Sequence, residues 1–270
     1  MSRHRSNSDS RHSYHSELYE SPEERLEKRL EDYQFEGTKF LDLSNLGITN
    51  IPYLPNDLEE LYCGNNKLKY IPPLPPTLKR LVCSGNKNLK RLPPLPLSLE
   101  VLKCHNCSLE KLPSLPATLV ELEASHNKLK TIPPLSHSLF SIHVDNNSLT
   151  QIPDLPTNLR ILNCSNNIIK ELPELPNTLL QIYCYNNKLI DFPLTLPKSI
   201  QILSADNNTF PNRDFKKESV RVYHAKVCDF LTMKRISERV SLIKEELIEK
   251  AWHPDRVCKW IEAGIDITVL

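Results

Sequence analysis

LEELYCGNNKLKYIPPLPP, residues 58–76, is the stretch whose reading decides the fold. Its letters return along the chain. Leu61 is followed in phase by Leu81, Leu102, Leu122, Ile142, Leu162, Ile182 and Leu203, and preceded by Leu41. The step is 20 residues, lengthened to 21 in two units, near Lys87 and near Leu194. A fixed period of this length marks a stacked array of identical supersecondary units and outranks every other signal in the chain.

The chemistry of the motif explains the recurrence. Leu58, Leu61 and Cys63 fit the start of a short strand, in which alternate side chains face opposite ways. Leu61 and Cys63 therefore point into a core, while Glu60, Tyr62 and Gly64 point out. Successive units stacked roughly 4.8 Å apart make a parallel sheet on the order of 40 Å across. Asn66 then turns the chain, because its amide both donates and accepts. Its equivalents are Asn86, Asn127, Asn147, Asn167, Asn187 and Asn208, with Leu46 and Cys107 at the same position in the first and fourth units. Stacked, they predict a ladder satisfying loop amides that would be costly to bury unpaired. The tail Ile71-Pro-Pro-Leu-Pro-Pro excludes an α-helix, since proline lacks the donor, fixes φ and pushes its predecessor to extended geometry. An extended, polyproline-II-like or 3₁₀ convex side is expected. No unit can stand alone; neighbours must bury its two faces, and the ends of the array need caps.

The pattern L-x-x-L-x-C-x-x-N-x-L resembles the leucine-rich repeat. The short period and the Ile/Leu-Pro-x-Leu-Pro tail make it similar to the repeats of bacterial secreted effectors of the YopM and IpaH type. The resemblance covers about nine units, some two-thirds of the chain. It implies a leucine-rich repeat solenoid with a curved parallel β-sheet on its concave side, and it leaves function open. IpaH-type effectors join such repeats to a large helical ubiquitin-ligase domain with a catalytic cysteine. That implies a second reading, a substrate-recognition part of a ligase-like effector, with Cys258 as the remaining candidate thiol.

Composition narrows the function classes. Thirty-four basic and 33 acidic residues leave a net charge of +1, which predicts no general attraction to nucleic acid or to an anionic membrane. Five glycines supply no phosphate-binding loop. No apolar run reaches the ~20 residues of a membrane span, and the N-terminus lacks the apolar core of a secretory signal. Five of the eight cysteines, Cys63, Cys83, Cys104, Cys164 and Cys184, hold the second inward strand position, which Leu43, Ala124, Val144 and Ala205 hold elsewhere. That swap makes cysteine a small hydrophobe rather than a metal ligand or half-cystine. Free thiols predict a reducing, intracellular compartment.

Flanking segments complete the organisation. Residues 1–20 begin as a Ser/His/Arg tail too polar to order itself; its histidines lack ligand spacing. Residues 21–37 predict a capping helix, over about 22–33, because Ser21-Pro22-Glu23-Glu24 combines a cap, a first-turn proline and a capping-box glutamate. Repeats are expected over 38–228, ending in a degenerate tenth unit in which Val220, Tyr223 and Ala225 keep the phase and Cys228 takes the ladder position. A helical cap is expected over 229–270, with an apolar stripe at Ile236, Val240, Ile243, Leu247 and Ala251 and a second helix from Pro254. AWHPDRVCKW, residues 251–260, resembles the tails of mimivirus-like giant DNA virus repeat proteins and implies a host cytoplasmic setting. His253-Pro254-Asp255 matches the J-domain tripeptide, yet too little chain follows for that domain's next helix.

Function is sought on the outward strand positions. Among them Tyr62, Arg80, Lys103, His105, Glu121, Glu123, His143, Asp145, Asn163, Tyr183 and Tyr185 vary from unit to unit while the inward positions repeat. A fixed scaffold with varied outward chemistry predicts a non-enzymatic module, monomeric and cofactor-free, that binds a protein through the concave face. An adaptor docking a second protein with its C-terminal helices is the alternative. His105, Glu121, Glu123, His143 and Asp145 lie on neighbouring strands, so a metal or acid–base site is weighed against solvated charge.

Overall fold

A computed structural model of the chain describes residues 20–193, 195–212 and 218–251, excepting the side chains of 246–251. Two compact units result, Met1–Arg213 and Asp214–Leu270. The first is a leucine-rich repeat solenoid of nine coils. Its strands are β1 (Phe40–Asp42), β2 (Glu60–Tyr62), β3 (Arg80–Val82), β4 (Val101–Lys103), β5 (Glu121–Glu123), β6 (Ser141–His143), β7 (Ile161–Asn163), β8 (Gln181–Tyr183) and β9 (Ile202–Ser204). All neighbours pair in parallel and in sequence order. The register matches the repeat phase, Leu61 opposite Leu81 and Leu81 opposite Leu102, so the longer steps fall in loops.

Leu58, Leu61, Cys63 and Leu68 are fully buried in the second coil, and their equivalents are buried in the others except at Thr38, which holds the Leu58 position in the first coil. The five inward cysteines are free thiols with no exposed surface. The Pro-rich tails contain no helix; each closes with one turn, as where Leu78 N–H donates to Pro75 O at 3.2 Å and Leu119 N–H to Pro116 O at 3.1 Å.

The asparagines at the ladder position tie coil to coil. Asn86 Nδ2 donates to Cys83 O in its own coil at 2.8 Å and to Cys63 O in the preceding one at 3.0 Å. Its Oδ1 accepts from Leu68 N–H at 3.0 Å. Asn66, Asn127, Asn147, Asn167, Asn187 and Asn208 repeat the pattern, as in the bonds to Leu109, Leu129, Leu149, Ile169 and Leu189 N–H. Cys107 has no amide oxygen to offer Leu89. The extra residue of the third coil answers this: Leu89 N–H turns back onto Asn86 O at 3.0 Å. The 21-residue step and the missing asparagine are thus one adaptation in two places.

Two further ladders went unread in the sequence. Thr77, Ser98, Thr118, Thr178 and Ser199 each donate to two carbonyls of the preceding coil, Thr118 Oγ1 reaching Leu97 O at 2.7 Å and Leu99 O at 2.8 Å. The residue before each ladder position takes left-handed φ: Asn65 at 53°, Asn106 at 53°, His126 at 54°, Gly85 at 79°. Asparagine and glycine tolerate that conformation best.

Helix α1 (Pro22–Glu36) packs on β1 with Leu26, Leu30 and Tyr33 buried. Ser21 Oγ accepts from Glu24 N–H and Glu24 accepts from Ser21 N–H, closing the capping box. Gly37 ends the helix at φ 62°, three residues later than expected. Tyr33 OH donates to Asp57 at 3.0 Å. Burial first, then that carboxylate, push the phenol up to about 12.

The second unit corrects the sequence reading. Val220, Tyr223, Ala225 and Cys228 lie on helix α2 (Val220–Ala251), not in a tenth coil. A short apolar run fits both a 20-residue phase and a 3.6-residue period; without a proline tail, nothing prevents the helix. Ser219 opens it, its Oγ accepting from Val222 N–H at 3.3 Å. The buried stripe is Tyr223, Val227 and Leu231, whereas Ile236, Val240 and Ile243 are 51%, 58% and 47% exposed. Leu247 and Ala251 side chains, the expected second helix, His253-Pro254-Asp255, Cys258 and the tail of residues 1–19 lie outside the described residues.

Two predictions follow from the ladders. Asn86→Ala strands Leu68 N–H and two carbonyls, so urea unfolding should show a loss of about 3 kcal/mol, and Thr118→Val a loss nearer ~1 kcal/mol. Deleting Asn88 removes the turn that serves Leu89; it should be destabilising in the parent chain and markedly less so beside Cys107→Asn, with a coupling of about 1–2 kcal/mol in a double-mutant cycle. Additive effects would count against the compensation.

Candidate functional site: the sheet face

Each three-residue strand buries its middle side chain and presents the two flanking ones, so the sheet face is two columns wide. Only Val101 and Ser141 on this face drop to 9% exposure. Parallel pairing sets Glu60 beside Arg80, Lys103 beside Glu123, and His143 beside Asn163. Polar groups therefore meet their counterparts one coil away.

Four patches result. In the first, Phe40 and Tyr62 rings meet at 5.1 Å. Tyr62 OH donates to Glu60 Oε2 at 3.2 Å, and Arg80 Nε lies 3.5 Å from the same oxygen. Burial, then the Glu60 bond, raise the Tyr62 phenol. In the second, Lys103 Nζ sits 2.9 Å from both Glu121 Oε1 and Glu123 Oε1. Burial alone would push Glu123 up, but the Lys103 bond and charge outweigh it and hold the carboxyl below its ordinary value.

In the third, Asp145 Oδ1 accepts from Ser125 Oγ at 2.5 Å and Asn163 Nδ2 at 2.9 Å, and its Oδ2 from Asn146 Nδ2 at 2.7 Å. In the fourth, Tyr183 OH donates to Gln181 Oε1 at 3.3 Å. His143 in one of these columns and Tyr185, two residues beyond β8, are half-buried. The structure thus brings together Lys103, His105, Glu121 and Glu123, and separately Asp145 and Asn163, with His143 standing between Glu123 and Asn163 in the register.

One constellation resembles catalytic machinery but lacks the geometry of a relay. Ser84 Oγ lies 2.9 Å from His105 Nδ1, and Glu123 Oε2 lies 3.6 Å from that same nitrogen. A relay needs nucleophile and carboxylate on opposite ring nitrogens. Here both address one, and Ser84 Oγ also accepts from His105 N–H at 3.2 Å. No group of three or more His, Cys, Asp or Glu among the described residues is placed to hold a metal. Burial pushes the Cys63, Cys83, Cys104 and Cys184 thiols up, Cys164 to about 12 and Cys107 to about 11. They stay protonated at neutral pH, which suits packing and not nucleophilic attack.

Solved structures fit this fold. YopM, the leucine-rich effector of Yersinia pestis, matches at 32% identity and a TM-score of 0.51, over 67% of this chain and 64% of that one. A Shigella effector leucine-rich repeat domain matches at 25% identity and 0.53, over 70% and 79%. The functional domain of InlJ from Listeria monocytogenes matches at 24% and 0.53, over 67% and 42%. The chain is thus a leucine-rich repeat protein similar to bacterial effectors, and it spans less than two-thirds of the length of YopM. No family model and no curated protein matches it. Among the described residues, no helix is long and apolar enough to cross a membrane.

Removing the Lys103 charge tests the second patch. In Lys103→Met, the Glu123 midpoint followed by carboxyl NMR should climb to the ordinary 4.5 or above. A depressed pKa contributes stability above the unfolded value and loses it as pH falls through the folded one. The parent should therefore lose stability below about pH 4.5, and the variant should lose less there.

Proposed function

We propose that this chain is a non-enzymatic protein-interaction module that binds a protein partner through the sheet face. The observation that carries the reading is the division of labour along each strand: the buried middle position is always Leu or Ile, while its neighbours, mostly half-buried, carry a different cluster in each part of the array. Those clusters are held in place before any partner arrives, by bonds such as Tyr62 to Glu60, Lys103 to Glu121 and Glu123, and Asn163 to Asp145. Preorganised side chains lose less entropy on binding. Tyr62 and Tyr183 would anchor the two halves, as aromatics do at interfaces. Arg80, Lys103, His105, Glu121, Glu123, His143, Asp145, Asn163 and Tyr185 would set specificity. The likeness to two effector repeat structures supports an interaction role, and the buried free thiols suit a reducing, intracellular compartment.

Affinity capture with the full chain, crosslinked in host-cell extract, tests this. The partner recovered by the parent should be lost from Tyr62→Ala/His143→Ala/Tyr183→Ala and kept by Leu97→Ala, which alters an exposed residue of a Pro-rich tail. Equal recovery by parent and triple variant would count against the sheet face.

A further inference from the structure

Net charge hides a segregation of charge. Between ladder position and Pro-rich tail, the second coil carries Lys67 and Lys69, and the third carries Lys87, Lys90 and Arg91. The fourth carries Lys111 and the fifth Lys128 and Lys130. Glu110 is the one acid among these eight bases. In the seventh and eighth coils the same segments balance, Lys170 against Glu171 and Lys188 against Asp191. All eight basic side chains are exposed. Ion pairs among the described residues use other cations, including Lys39, Lys79, Arg80 and Lys103.

Backbone bonds stack these segments. Lys67 N–H donates to Ile48 O, Ser108 N–H to Leu89 O, Lys128 N–H to Leu109 O and Glu110 N–H to Lys90 O, at 2.9–3.2 Å. Coil spacing is therefore about 5 Å, so the backbone brings the bases of neighbouring coils onto one flank, where like charges repel one another. The fold gathers eight cations along four successive coils with Glu110 as the one acid set among them.

We propose that this basic flank is a second interaction surface, one that binds an extended, carboxylate-rich protein segment. It is independent of the sheet face. Seven of the eight cations are lysines, hydrated point charges that attract an anionic chain by charge and do not need the planar bidentate match an arginine gives to phosphate or carboxylate. A nucleic-acid strand would call for a row of stacking rings, and Tyr70 is the only aromatic in the stripe. A duplex read in its groove would call for a helix or β-ribbon, and these segments are neither.

Fluorescence anisotropy with the full chain tests the proposal, using labelled poly-glutamate as probe, with an equally charged DNA duplex and phosphatidylserine vesicles as competitors. Poly-glutamate should bind saturably, more weakly as salt rises. Lys69→Glu/Lys90→Glu/Arg91→Glu/Lys130→Glu should weaken Kd by about tenfold or more, with an unchanged melting curve because these side chains are exposed. Lys170→Glu/Lys188→Glu should bind like the parent, and so should the Tyr62/His143/Tyr183 triple alanine variant, which separates this surface from the sheet face. Absence of saturable binding, equal loss in the Lys170/Lys188 control, or stronger competition by duplex or vesicles than by unlabelled poly-glutamate would overturn it.

Discussion

One amide bridge governs this molecule. Each ladder asparagine donates to a carbonyl in its own coil and to another in the coil before, and accepts from a backbone N–H of that earlier coil. Three-residue strands supply few hydrogen bonds between neighbours. The turn beyond each strand is buried, and backbone groups there would be costly without partners. The asparagine closes that gap in the same way in seven of the nine coils, so a coil whose successor carries one is satisfied only when that successor is present. Stability therefore resides in the contact between coils, as expected of a quasi-one-dimensional array.

The sheet face follows from that arrangement. Because inward leucines, cysteines and ladder amides hold the register, the outward positions are released from structural duty. They can carry a tyrosine–phenylalanine pair at one end, a lysine clamped by two glutamates in the middle, and a network around Asp145 beyond it. The basic flank arises by the same logic on a neighbouring surface, where residues following the ladder position, such as Lys67, Lys87 and Lys128, are exposed.

Much of this was legible in the residues. The phase of Leu61, the swap of Cys63 for alanine or valine elsewhere, the Asn66 series and the proline tails each report a backbone requirement, and repetition makes such requirements visible. The Ser21 capping box was legible for the same reason. Thr77, Ser98 and Thr118 are as periodic as the asparagines, but hydroxyls in an accessible loop carry no burial signal, so spacing alone does not reveal their paired hydrogen bonds to the preceding coil. Asn-Asn pairs such as Asn65-Asn66 did hold the left-handed residue in plain view. Val220–Cys228 fits either element because nine residues cannot distinguish a coil from a helix. The pairing of Lys103 with both glutamates needed register and side-chain reach together, which one-dimensional spacing does not contain.

Native-state hydrogen exchange reads the central bridge directly. The amides of Leu68, Leu109, Leu129, Leu149 and Ile169 point at asparagine Oδ1 atoms from turns without regular strand pairing. If the bridges hold the array, these amides should exchange as slowly as the central-strand amides and by the same opening that unfolds several coils. Exchange at the pace of ordinary surface turns, with the strands still protected, would contradict the account.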